Sequence, residues 1–193
     1  MNSTSQFSRE DKKILLEIAR QSVLHGLSTG RPLPVKVTDY SHQLQEQRAS
    51  FVTLKKDGQL RGCIGMLEAV RPVVEDVSEN AFSAAFRDSR FAPVTADEID
   101  MMDFHISILS APQPIEFSSE QDLLKKIRPN IDGLILVDGN RRGTFLPTVW
   151  ESLPDPKNFL QQLKLKAGLS KNEWSEKIRI LRYQTESIGT DCE

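Results

Sequence analysis

The chain has 193 residues, with 25 Lys plus Arg against 27 Asp plus Glu and a hydrophobic fraction of 38%. This near balance of charge gives no overall positive field to draw the protein onto nucleic acid or an anionic membrane. No apolar run approaches the roughly 20 residues that span a bilayer, and the polar N-terminus lacks the apolar region of a signal peptide. The sequence therefore predicts a soluble cytoplasmic protein, built as one domain or two small interleaved lobes.

Cysteine and histidine usage narrows the chemistry further. The chain has 2 cysteines and 3 histidines, and Cys192 is the penultimate residue. A disulfide framework is therefore not expected, and a reducing compartment is favoured. Because no CxxC or HxxxH spacing occurs, the sequence offers no obvious tetrahedral zinc site. We predict neither a metal nor a cofactor.

Hydrophobic periodicity predicts an α+β fold in which mostly antiparallel strands are covered by helices. A first helix is expected from about Arg9 to about His25, ending near Gly26 to Gly30. Asp57 and Gly58 between two β-forming runs predict a two-residue hairpin turn. The later predicted elements are a helix opened by Pro72, a strand over 103–109, a short helix over 118–127, a strand over 132–137, a helix over 155–168 and a strand over 177–183. We expect a single domain over 1–193, with its core over about 9–184 and a flexible tail over about 186–193.

The stretch from Leu60 to Gly65, Leu-Arg-Gly-Cys-Ile-Gly, is the clearest candidate for a functional site. It sets a cysteine between two glycines, with an arginine two residues before it. If the turn fixes the register, Val52 lies opposite Cys63. Leu54 then lies opposite Arg61, and all four side chains share one face. The guanidinium would be about 7 Å from the thiol along the strand, close enough to favour the thiolate.

A series of different short motifs lies along most of the chain, from about Arg20 to about Gln184. They are Phe-Val-Thr-Leu at 51–54, the hexapeptide at 60–65, Ala-Ala at 84–85, Asp-Ser-Arg-Phe at 88–91 with Pro93, Ile-Ser-Ile-Leu-Ser at 106–110, Asp-Gly-Leu at 132–134, Thr-Phe-Leu-Pro at 144–147, Val-Trp-Glu at 149–151 and Lys-Ala-Gly-Leu at 166–169. Together they resemble the AMMECR domain family, also seen as protein A of the prokaryotic AmmeMemoRadiSam gene system. The hexapeptide is nearly diagnostic of that family.

The resemblance implies an α+β fold in two unequal, interlocked lobes with a cleft beside the hexapeptide. It supplies no settled reaction. In prokaryotes the gene system links the family to a Memo-type protein, which resembles dioxygenases, and to a radical-SAM protein, so it implies an enzyme or accessory protein in a shared pathway. Thr148 departs from the family pattern, which has Gln at this place, and this puts any ligand contact of that amide in doubt.

In the catalytic interpretation, Cys63 is a nucleophile or redox thiol activated by Arg61 and nearby backbone N–H groups. His105 would act as base or acid across the cleft, which requires the sulfur and imidazole to approach within about 3–4 Å. Gly62 and Gly65 would let a substrate or oxyanion approach the backbone closely.

Each of these residues also has a structural interpretation. Cys63 is then a small buried apolar residue, the two glycines mark a bulge and Arg61 pairs with a carboxylate. His105 then packs at the surface or at an interface between lobes. Arg90 and Asp88 either pair, contact a ligand or are ordinary solvated loop charges. Glu151 is either a ligand contact or an ordinary loop charge.

The alternative function is a non-catalytic binding module. Its arginines, Arg61 and Arg90 among them, would hold a small anionic ligand or a partner protein. Nucleic acid is disfavoured as a partner, because the chain lacks a basic excess and interleaved exposed aromatic residues.

Overall fold

The computed structural model describes residues 7–189 and shows an α+β protein with two antiparallel four-stranded sheets, which confirms the predicted fold class. The helices are α1 (Arg9–Thr29), α2 (His42–Gln45), α3 (Val73–Phe86), α4 (Glu120–Lys126) and α5 (Pro156–Lys166). The strands are β1 (Ser50–Lys56), β2 (Gln59–Gly65), β3 (Met102–Leu109), β4 (Gln113–Pro114), β5 (Gly133–Asp138), β6 (Arg141–Phe145), β7 (Arg179–Tyr183) and β8 (Thr185–Gly189). Within residues 7–189, no helix is long and apolar enough to cross a membrane.

The described chain forms two compact units, and the first comprises 7–109 with 186–189. Its sheet has the strand order β2-β1-β3-β8, and β1 pairs antiparallel with both of its neighbours. Helix α3 packs on β1 and β2, and α1 packs on α3. Alternate strand residues are fully buried beneath these helices, namely Val52, Leu54, Phe104 and Ile106. One face of this sheet therefore forms the core of the unit.

The second unit comprises Ser110–Thr185 and is built on the sheet β4-β7-β5-β6. Helix α5 packs on β6, and its buried Phe159 stacks on Trp150 with ring centroids 3.7 Å apart. The indole N–H of Trp150 donates to the carbonyl of Asp132 over 2.8 Å. This tryptophan thus satisfies its one polar group while it fills the core.

The first helix ends within the predicted range, whereas the last strand of residues 7–189 differs from the sequence prediction. Helix α1 continues past Gly26 to Thr29 and ends at Gly30, which has φ 69°. Gly26 lies inside the helix because a Cβ there would come within 2.5 Å of the Phe86 ring on α3. Residues 186–189, predicted as a flexible tail, belong to β8, so that prediction is wrong for them. The predicted tail over 190–193 lies outside the described residues.

The hairpin of β1 and β2 has the predicted turn. Asp57 and Gly58 both have positive φ, 52° and 73°. This conformation matches the twist of the two flanking strands, and glycine adopts it without strain. Lys56 and Gln59 pair directly across the turn.

Arg61 bulges out of this hairpin and changes which side chains share a face with Cys63. The register shifts between Leu54 and Lys55, so that Leu54 does not pair with Arg61. Cys63 lies opposite Thr53 rather than Val52. The predicted register is therefore wrong by one residue, since one extra residue shifts every pair that follows it.

Candidate functional site

Cys63 lies on β2, an edge strand of the first sheet. Its side chain is partly buried, and Oγ1 of Thr53 donates a hydrogen bond to its sulfur over 3.2 Å. Thr53 is also its cross-strand partner, so the strand pairing itself brings the hydroxyl to the sulfur. A hydroxyl donor stabilises a negative sulfur more than a neutral one. This contact gives the thiol a polar partner suited to its charged form.

The backbone of Cys63 is held from outside the sheet by Asp88 and Arg90. The N–H of Cys63 donates to Oδ2 of Asp88 over 2.9 Å. Its carbonyl oxygen accepts from Nη2 of Arg90 over 3.3 Å. On an edge strand, groups that point outward have no neighbouring strand to bind. The two side chains take the place of such a strand at this residue and fix its backbone.

Asp88 and Arg90 also bind each other as a bidentate ion pair. Nε of Arg90 lies 2.9 Å from Oδ1, and Nη2 lies 2.6 Å from Oδ2. The Asp88 side chain is 5% exposed and that of Arg90 is 55% exposed. The hydrogen bonds from Arg90, aided by the N–H of Cys63, hold the pKa of the Asp88 carboxyl well below its ordinary value. Asp88 is thus a buried anchor paired with Arg90, which is one of the predicted alternatives, and not a solvated loop charge.

The hydrogen bonds of Arg61 go to a different part of the first unit. Its Nε and Nη2 bind the two carboxylate oxygens of Glu98 at 3.0 and 2.9 Å. Nη1 donates to the carbonyl of Ala92 over 2.9 Å, and the side chain is 15% exposed. Lys56 on β1 also binds Glu98, over 3.2 Å. Its side chain lies on the opposite face of the strand from Thr53, three residues earlier. Arg61 therefore ties β2 to the 3₁₀ segment Ala96–Met101, and the guanidinium that contacts Cys63 is that of Arg90.

These two carboxylates predict a specific acid sensitivity. Hydrogen bonds lower the folded-state pKa values of Asp88 and Glu98 from ordinary values of 3.8 and 4.5, those from Arg90 and Arg61 being the largest causes. A lowered folded pKa stabilises the protein fully above the unfolded value and loses this effect as pH falls. We expect the free energy of unfolding, measured in urea, to fall from about pH 5 to pH 2. The Asp88→Asn/Glu98→Gln variant should show a flatter profile over that range, and a profile parallel to that of wild type would contradict this assignment.

Close packing explains why residues 62 and 65 of the hexapeptide are glycines. A Cβ on Gly62 would lie 2.1 Å from the carbonyl oxygen of Ala84 on α3. A Cβ on Gly65 would lie 2.4 Å from both the Phe51 ring and the carbonyl oxygen of Ser50. Neither approach is available to a residue with a side chain. Close packing of backbone on backbone therefore explains both glycines without a bound oxyanion.

His105 shares a cross-strand row with the thiol, but one strand separates them. Thr53 on β1 pairs with Cys63 on one side and with His105 on the other. Strands lie about 4.8 Å apart, which sets the backbones of Cys63 and His105 about 10 Å apart. A Cβ on Gly189 would lie 2.8 Å from Nδ1 of His105, so the imidazole packs against β8. The row places Thr53 between the thiol and the imidazole, which were predicted to contact each other directly.

Glu151 belongs to the second unit, where it ends the 3₁₀ turn Pro147–Glu151. Glu151 and Thr148 are exposed in this turn, whereas Trp150 is buried and anchors it. Their exposure leaves both side chains available to a ligand of this unit, and the role of Glu151 stays a prediction.

Three residues of this arrangement were not among the predicted site residues: Thr53, Asp88 and Glu98. Thr53 and Asp88 both stand in motifs that carried the family resemblance. Thr53 was missed because the predicted register put Val52 opposite the thiol. Asp88 and Glu98 were missed because their burial depends on contacts with β2, which lies 25 and 37 residues away along the chain.

The fold and the site define a class of protein: a two-sheet α+β protein with a cysteine fixed in an edge strand by an ion pair whose carboxylate is buried. The AMMECR1 family profile matches residues 16–188 of the chain. This protein belongs to the AMMECR1 family.

Similar proteins occur in archaea and bacteria. The chain is 36% identical over 190 residues to a protein of Methanothermobacter thermautotrophicus, a match that covers 95% of this chain and 96% of the relative. It is 41% identical over 147 residues to a protein of Thermotoga maritima, covering 75% and 79% of the two chains. The crystal structure of an uncharacterised protein from Pyrococcus horikoshii has a TM-score of 0.82 at 31% identity and covers 94% of this chain and 92% of its own. The names of these three proteins state no reaction, so the comparisons supply the family and the fold.

Proposed function

We propose that this protein is an enzyme or ligand-handling accessory protein that acts through the thiol of Cys63, in a pathway with Memo-type and radical-SAM proteins. The observation that carries the proposal is the hydrogen bond from Oγ1 of Thr53 to the Cys63 sulfur over 3.2 Å. A thiol with no chemical role is normally packed among apolar groups. Here the sulfur faces a hydroxyl donor, on a strand residue whose N–H and carbonyl are both held by side chains outside the sheet.

The proposed roles follow from the contacts. The thiolate is the group that binds or attacks an electrophilic ligand, and the Thr53 hydroxyl supports its negative charge. Asp88 and Arg90 position it, because they hold the N–H and carbonyl of Cys63 over 2.9 and 3.3 Å. Holding the backbone in place reduces the motion that must be lost when a ligand binds.

In this proposal, His105 acts on the Cys63 thiol by way of Thr53. With β1 between them, a proton passing between the thiol and the imidazole would use the threonine hydroxyl, which both donates and accepts hydrogen bonds. Arg61, Gly62 and Gly65 are assigned to the scaffold of the site, because each already has a packing or ion-pair partner.

Thiol alkylation tests the role of Thr53. In a Cys192→Ser background, which leaves Cys63 as the one thiol, we expect Thr53→Val to lower the rate constant for iodoacetamide at pH 7 about tenfold. A hydrogen bond to a charged group contributes about 1.5–3 kcal/mol, which sets this scale. The matched control Thr53→Ser keeps the hydroxyl and should retain most of the wild-type rate.

Two outcomes would count against the proposal. A rate constant for Thr53→Val within twofold of the wild-type value would show that the hydroxyl has no influence on the sulfur. If Cys63 reacts with iodoacetamide after unfolding in urea but not in the native protein, it is a structural thiol. This result would contradict its catalytic role.

A second candidate function is supported by the exposure of Arg90. Its side chain is 55% exposed although it binds Asp88 and the carbonyl of Cys63. A guanidinium has five N–H donors, so some remain for a carboxylate or phosphate. This arrangement favours a non-catalytic site for a small anionic ligand or an acidic partner surface, with Glu151 as a separate candidate contact. Arg90→Lys keeps the positive charge but cannot form a bidentate contact. It should therefore lower the affinity for such a ligand only if the ligand uses that contact.

A further inference from the structure

A second site of interest in the first unit is a cavity of about 520 Å³ between α1 and β8. Its lining residues come from one face of α1 and from consecutive residues of β8: Arg9, Lys12, Lys13, Leu16 and 187–189. The α1 residues share a face because they are spaced three and four apart. The cavity thus combines positive charge with strand backbone, and it lies apart from the contacts of Cys63.

Two of its three cations have no intramolecular counter-ion among residues 7–189. Lys12 is neutralised by Glu186, with Nζ 2.8 Å from Oε1. Arg9 and Lys13 form no ion pair within that part of the chain and are exposed. The cavity therefore carries an excess of two positive charges, on a protein whose formal net charge is −2.

The other wall is the edge of a sheet. β8 ends the strand order β2-β1-β3-β8, and no further strand from residues 7–189 pairs with its outer side. An edge strand presents N–H and C=O groups in alternation, which match the backbone of another extended chain. A compact anion such as phosphate would satisfy the cations alone and leave this edge unmatched.

We infer that this cavity binds an extended peptide segment carrying carboxylates, which pairs with β8 through its backbone and meets Arg9 and Lys13 through its acidic side chains. Strand addition supplies affinity from backbone hydrogen bonds, and side chains at every second position supply specificity. Carboxylates are the complementary groups for an arginine and a lysine. The occupant is thus an acidic segment of a partner protein, and the site does not depend on the chemistry of Cys63.

The probe for this site is a fluorescein-labelled, acetylated hexapeptide of alternating Glu and Val, measured by anisotropy against the full chain. We expect saturable binding, with the backbone amides of Ser187 and Gly189 protected from hydrogen exchange. Arg9→Ala/Lys13→Ala should weaken the affinity about tenfold, or about 1.4 kcal/mol, since each exposed ion pair contributes a fraction of that. The control Lys125→Ala/Lys157→Ala removes the same charge from exposed positions in the second unit and should stay within twofold of wild type.

Three results would overturn the inference. One is equal binding of the double variant and wild type. The second is equal binding of a hexapeptide N-methylated at alternate residues, which shows that the cavity takes charge alone. The third concerns the chain's own N-terminus, because the N–H of Phe7 binds Oε2 of Glu186 over 3.3 Å beside the cavity. If the probe binds only a variant that lacks residues 1–6, the site belongs to that segment and not to a partner.

Discussion

Gly62→Ala is expected to lower the free energy of unfolding by about 3 kcal/mol or more. The new Cβ would lie 2.1 Å from the carbonyl oxygen of Ala84 and 3.0 Å from its carbonyl carbon. Both are backbone atoms of α3, so no side chain can rotate away to make room. Strand β2 must instead separate from the helix that it packs on. Urea unfolding followed by far-UV circular dichroism measures the change, since both tryptophans, Trp150 and Trp174, lie in the second unit.

Gly58→Ala is the matched control for this prediction. Gly58 has φ 73°, and nothing lies within 4 Å of the position that a Cβ would take, so alanine there meets backbone strain without a collision. Left-handed backbone costs an ordinary residue about 1–2 kcal/mol. We therefore expect Gly62→Ala to be clearly more destabilising than Gly58→Ala. Equal effects would show that α3 and β2 separate easily and would reopen the interpretation of Gly62 as an oxyanion contact.

The parts of the fold that were predicted correctly depend on local chemistry. Asp57 and Gly58 specify a hairpin turn whatever surrounds them, because positive φ at two adjacent residues suits these residue types. The α+β class follows in the same way from apolar periodicity. Such signals need only a few neighbouring residues, and they locate elements more reliably than they locate the ends of elements.

The register of the hairpin was not predictable from local signals. The bulge at Arg61 leaves this residue out of the ladder, and its side chain is held by Glu98, 37 residues away. Nothing in β1 or β2 alone distinguishes this arrangement from a regular hairpin. The end of α1 was predicted only to within Gly26 to Gly30, because the sequence does not show that the missing side chain of Gly26 serves contact with α3 and not the end of the helix.

The residues of the candidate site also differ in whether local sequence or tertiary contacts identify them. Cys63 was found because two glycines around a cysteine are an unusual local pattern. Its partners Thr53 and Asp88 are defined by strand register and by burial at the sheet edge, which are tertiary properties. Arg61 was correctly singled out as important, and the structural alternative, pairing with a carboxylate, is the arrangement seen.

Arg61→Ala is expected to lower the free energy of unfolding by about 3–5 kcal/mol, the range found when one partner of a buried ion pair is removed. Glu98 is 11% exposed and would keep Lys56, whose Nζ lies 3.2 Å away, as its cationic partner, beside the N–H and hydroxyl of Thr95. The carbonyl of Ala92 would also lose its donor. Because the hydrogen bonds of Arg61 go to Glu98 and to backbone carbonyls rather than to Cys63, the alkylation rate of the thiol at pH 7 should stay within about twofold of wild type, as long as the variant is folded.

Two further variants separate a scaffold role from thiol activation. Arg20→Ala removes an exposed ion pair, in which the side chains of Arg20 and Asp100 are 41% and 90% exposed, and should cost at most about 1 kcal/mol. Arg61→Met/Glu98→Gln removes both charges and should recover part of the stability lost in Arg61→Ala, because no buried carboxylate is left without its partner. A stable Arg61→Ala protein whose thiol reacts tenfold more slowly would reverse the assignment. The arginine of the hexapeptide would then act on the cysteine despite the bulge that turns it toward Glu98.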